Sequence, residues 1–112
     1  MLSWSSTSLG TPADITAIVD DARDAGLPWS AELVAFAQAI GGWDDGELER
    51  ARNALVAAAG DAFMVDAAAV VANFEMMTRD ADGTGARFHP ATAAPRLEAA
   101  EQLGITGFTS AR

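Results

Sequence analysis

The chain is 112 residues long, enough for one hydrophobic core and not for two. Half of its residues are hydrophobic, which excludes a disordered tail; 16 acidic against 7 basic side chains, a formal charge of −9, argue against nucleic acid and anionic membranes as partners. There is no cysteine, so disulfides, thiolate metal sites and cysteine nucleophiles are excluded together.

Residues 1–10 are rich in Ser and Thr. They lack the basic and apolar regions of a secretory signal and are expected to form a flexible extension. The longest uncharged apolar run lies inside Ala67–Phe74, far short of the roughly 20 residues of a membrane helix. A cytoplasmic protein is expected. A single helical domain is predicted over 11–104, followed by a loosely ordered tail, 105–112.

Within that domain the punctuation is helical. Thr11 and Pro12 fit the cap and first position of a helix whose apolar face is Ile15, Ile18, Val19 and Ala22, ended by Gly26. A second helix is predicted from Ser30, with Leu33, Val34, Phe36, Ala37 and Ile40 as its stripe and Gly41-Gly42 as its stop. A third opens at Asp44 with Glu47 at capping-box spacing. It carries a stripe of Leu48, Ala51, Leu55 and Ala58 and ends at Gly60, where Asp61 offers a new cap.

The segment Asp61–Asp82 is the organising element. Val65, Ala68, Val71, Phe74, Met77 and Ala81 recur at helical spacing, and Ala67, Val70 and Met76 widen the apolar surface beyond one stripe. Such a helix is expected to be packed on most sides. A chain this short cannot surround it, so part of the surface is expected to be covered by another subunit, either a second copy or a catalytic partner chain. Asp80–Pro90 reads as a polar loop, and a last short helix is predicted over Thr92–Leu103, with Pro95 in its first turn. Alternating strand patterns are lacking. The predicted class is all-α, a small antiparallel bundle of four to five helices.

Few residues offer chemistry. Asp80, Asp82 and Thr84 with Gly85 match the front of a calcium loop, but the twelfth position falls on Ala91, where a Glu is required, so a helix end running into a Gly turn is the expectation and no metal site is assigned. His89 is the one histidine, which leaves a general base conceivable but suits a surface or loop role better. Glu75 and Arg79, spaced i, i+4, suit an ion pair that fixes packing; the alternative is a pocket where Glu75 acts as base, Arg79 holds an anionic substrate and a Trp forms the wall. Trp4, Trp29 and Trp43 stand at or before helix starts, where they close bundle ends, wall a pocket or anchor an interface. Trp29 and Trp43, with Val71, Phe74 and Met77, are the candidate ligand or interface residues. No cofactor is expected.

Two stretches carry a family likeness. SAELVAFAQAIGGWDDGELERARNALVAAAGDAFMVDAAAVVANF and VVANFEMMTRDADGTG, within Ser30–Gly85, resemble the C-terminal part of the alkylhydroperoxidase D-like, or carboxymuconolactone decarboxylase, superfamily. Phe74, Arg79, Ala81 and Gly85 match that family's closing pattern, whereas Glu75 and Thr78 stand where it usually has Asn. The resemblance implies an all-α and usually oligomeric protein. The family's chemistry lies in a Cys-x-x-Cys-x-x-x-His helix further upstream. A weaker echo over Thr11–Gly26 puts the Cys positions on Thr11 and Asp14 and the His on Ile18, none able to exchange thiols. The resemblance therefore implies a non-redox member, an oligomeric binding or scaffolding module. The alternatives are a small enzyme of carboxylate acid/base chemistry, decarboxylase-like, and an acidic regulator of a basic protein.

Overall fold

Hydrogen bonds between neighbours in sequence decide most of this architecture. The computed structural model describes residues 8–11, 13–20, 23–87 and 89–107. Among them are four α-helices, one 3-10 turn and no strand, the all-α class consistent with a small helical bundle. We name the helices α1 (Ser30–Gly42), α2 (Asp45–Ala59), α3 (Asp61–Thr84) and α4 (Pro90–Gln102). The chain divides into two compact units, Met1–Asn73 and Phe74–Arg112, with α3 starting in the first and ending in the second.

In the first unit, the helix expected over Thr11–Gly26 is reduced to a 3-10 turn, Ile15–Ile18, capped by Asp14 rather than Thr11. Asp14 Oδ1 accepts from both the backbone N–H (2.9 Å) and the hydroxyl (2.6 Å) of Thr16. Its own N–H donates to the Ala25 carbonyl at 3.2 Å. These bonds offer the backbone an alternative to the helix ladder, which is how Asp and Thr compete with helices. Pro12 and Ala22 lie outside the described residues.

α1 begins at Ser30 as the sequence predicts, but Gly41 and Gly42 lie inside it. The left-handed residue that ends it is Trp43, with φ 58°, and a second left-handed tryptophan, Trp29 at φ 56°, precedes it. Non-glycine residues seldom take this conformation. α2 is capped as read: Asp44 Oδ1 accepts from the Glu47 N–H at 2.9 Å. The Glu47 carboxylate turns instead to Arg50, at 2.6 Å. α1 and α2 pack against each other across the short Trp43-Asp44 link, a helical hairpin. The buried residues of the described chain are Ala17, Phe36, Ala39 and Leu55, all in the first unit. Of the stripe read for α2, Leu55 is buried, Leu48 and Ala51 are half-buried, and Ala58 is exposed.

Gly60 ends α2 with φ 90° and ψ 165°, a region essentially reserved for glycine. Its N–H donates back to the Val56 carbonyl (2.8 Å) and its carbonyl accepts the Met64 N–H (3.2 Å), so one residue closes α2 and opens α3. Asp61 is therefore the first helical residue rather than a cap, its charge in the turn that the helix dipole favours.

α3 continues through Asp80 and Asp82 to Thr84, so the front of the calcium-loop pattern is helix, not loop. Gly85, at φ 68°, ends it. The N–H of Ala86 reaches the Ala81 carbonyl (2.9 Å) and that of Gly85 the Asp82 carbonyl (3.3 Å), a Schellman closure. α4 starts two residues earlier than predicted. His89 caps it, Nδ1 accepting the Ala91 N–H at 3.3 Å, and Pro90 takes the first position, where no N–H is needed. Pro95 thus falls beyond the first turn. A second Schellman closure ends α4: the Ile105 N–H donates to the Ala100 carbonyl (3.0 Å) and the Gly104 N–H to the Glu101 carbonyl (3.1 Å). No helix among the described residues is long and apolar enough to cross a membrane.

Candidate functional site

The residues suited to acid/base chemistry stand in water. Glu75 and Arg79 form the i, i+4 ion pair that their spacing predicts, 3.6 Å apart, with side chains 51 and 70% exposed. Exposed pairs of this kind contribute about 0–1 kcal/mol. The carboxylate is half exposed to solvent, so the geometry does not favour Glu75 as a base. His89 is exposed and its ring caps a helix.

The tryptophans differ from each other. Trp29 meets Phe63 of α3 edge to face, ring centroids 5.0 Å apart and planes at 66°, within the first unit. Trp43 is 84% exposed, although its backbone is held as uncommonly as that of Trp29. Trp4 lies outside the described residues. Val71 is half-buried; Phe74 and Met77 are exposed.

The sequence does not reveal a depression of about 260 Å³ in the first unit, lined by Ala17, Arg23, Val34, Ala35, Gln38 and the start of α1. Its polar groups are already engaged. Arg23 pairs with Asp20 at 3.2 Å and Asp14 at 3.6 Å and donates to the Thr16 hydroxyl at 3.0 Å; Gln38 donates to the Ile18 carbonyl at 3.4 Å. The Thr16 hydroxyl and N–H, with Arg23 nearby, hold the Asp14 carboxyl below the usual aspartate range. The rim is thus a cation among carboxylates, which does not select an anion.

The larger surface is α3. Its own chain does not pack α3 on most sides, since none of its residues is buried. Val65, Val70 and Met76 are 59, 55 and 62% exposed, and Phe74 and Met77 are each 49% exposed. Around the helix two apolar stripes can be traced, and Val70, Phe74 and Met77 are exposed outside both. Phe63, Met64, Ala67, Ala68 and Val71, all within the first unit, are half-buried, and Phe63 meets Trp29. Ala62, Val65, Ala69, Ala72 and Met76, spaced 3, 4, 3 and 4, form a second stripe that is exposed throughout. The sequence signalled the second stripe only as apolar width in excess of one face.

Compared with protein-family models, with curated proteins and with solved structures, the chain matches none.

Proposed function

We propose that this protein is a binding or scaffolding module of alkylhydroperoxidase D-like type without redox chemistry, and that α3 is the element on which another polypeptide packs. One observation carries the reading: a helix with five large apolar side chains about half exposed or more buries none of its residues. Isolated exposed apolar residues need no explanation, but a contiguous set on one element marks an interaction surface. The lack of cysteine supports the non-redox part, since thiol–disulfide exchange needs a thiolate. The exposure of the Glu75–Arg79 pair favours a structural role for it over catalysis.

Light scattering after size exclusion tests the reading, on the chain alone and mixed with amphipathic helical peptides. A mass above one chain, or uptake of a helical peptide, is expected. A single-chain mass at every micromolar concentration, with no peptide taken up, overturns it.

A further inference from the structure

The exposed stripe of α3 has the spacing of a coiled-coil seam. With Ala62 at position a, Val65 is d, Ala69 a, Ala72 d and Met76 a. The rows beside such a seam, e and g, choose the partner. Here e is Asp66, Asn73 and Asp80, and g is Asp61, Ala68, Glu75 and Asp82. Neither row contains a basic residue. Arg79, at the last d position, is already engaged by Glu75.

These rows decide between the possible occupants. A second copy docked in parallel brings e against g, which sets Asp66 beside Asp61 and Asp80 beside Glu75. A second copy docked antiparallel brings e against e and g against g, where acids meet acids or neutral residues and no pair of opposite charge can form. Like charges across e and g disfavour pairing in either direction. A helix with basic flanks meets opposite charge along both rows. Ala69 and Ala72 in the middle of the seam leave room for large apolar knobs from the partner.

We infer that the exposed stripe of α3 is a docking site for an amphipathic helix of a different protein, apolar along its seam and rich in Lys or Arg on its flanks. This inference rests on α3 being the interaction element. It adds that the occupant is basic and is not a second copy.

The test uses the full chain and two labelled synthetic helices of equal length, both with Leu at a and d, one with Lys and the other with Glu at e and g. Fluorescence anisotropy should show binding of the Lys helix, weakening about tenfold from low to high salt, and at least about tenfold weaker binding of the Glu helix. Ala69→Asp separates docking from general attraction between opposite charges. It adds a negative charge, so general attraction would tighten binding, whereas a seam contact is lost by tenfold or more. Ala69 is exposed, and circular dichroism confirms that the variant keeps its helices. Exchanging Asp66 and Asp80 for Lys should shift preference towards the Glu helix. Equal binding of both helices, or tighter binding by A69D, overturns the inference. A chain that dimerises alone and is dissociated by A69D also overturns it, while leaving α3 as an interaction element. A monomer that binds neither helix overturns both.

Discussion

α2 and α3 are consecutive helices joined at a single glycine, and they use their apolar residues in opposite ways. α2 is the more densely charged, with Asp45, Glu47, Glu49, Arg50 and Arg52 in its first half, yet it fully buries Leu55. α3 is the more apolar and has no fully buried residue. Composition does not explain this; the available partners do. α2 lies against α1 across the Trp43-Asp44 link, so a narrow stripe suffices to enclose Leu55. α3 leaves α2 through Gly60 and has apolar surface on more sides than its own chain covers.

The largest effect should come from the buried side of that contrast. Leu55→Ala removes a side chain with 0% exposure and should cost about 2–5 kcal/mol in urea unfolding. Val65→Ala on α3, at 59% exposure, should cost less than about 0.5 kcal/mol in the isolated chain. Equal losses at the two positions would mean that α3 is enclosed in solution, and the comparison would fail.

The junction comes next. A Cβ on Gly60 meets nothing within 4 Å, so Gly60→Ala measures backbone conformation alone. At φ 90° and ψ 165° it should cost about 1–3 kcal/mol. Gly83, within α3 and equally free of neighbours, gives the control: Gly83→Ala should stabilise by about 0.5 kcal/mol, read in the same unfolding experiment. Loss of stability at both would point to contacts of these glycines rather than to torsion.

What the sequence discloses follows the same division. The start of α1, the Asp44 cap of α2 and the Gly60 end are legible because each rests on bonds among residues next to one another in sequence. The Thr11–Gly26 helix misleads because Asp14 and Thr16 sit in an apolar helical pattern but bond each other instead. Polar Asp80 and Asp82 resemble a loop, although an exposed last turn needs no apolar residues, and His89 is not among the usual helix caps. The Glu75–Arg79 pair is legible from its spacing; its exposure is not, because exposure depends on what packs nearby. For the same reason the sequence reveals that α3 has apolar surface to spare but not which stripe stays open.

The smallest effect concerns the Asp14 turn, where the sequence alone misleads. Donors from Thr16, joined by Arg23, favour the charged carboxylate, so its pKa lies below the value in the unfolded chain. A group with a depressed folded pKa contributes stability above its unfolded pKa and loses it as pH falls through the folded one. The Ile15–Ile18 turn should therefore hold at neutral pH and loosen only below the ordinary aspartate range. Carboxyl carbon shifts in an NMR titration should place Asp14 below the ordinary aspartate range. Thr16→Val removes the hydroxyl donor but keeps the backbone N–H, so it should move the Asp14 midpoint up only part of the way. A full return to the ordinary aspartate value would mean that the hydroxyl alone holds the turn, and no shift would mean that the turn is not formed in solution. Helix α2, capped by Asp44 on the other side of α1, should give an unchanged amide spectrum in that variant, because the bonds that misled the sequence reading are local to residues 14–25.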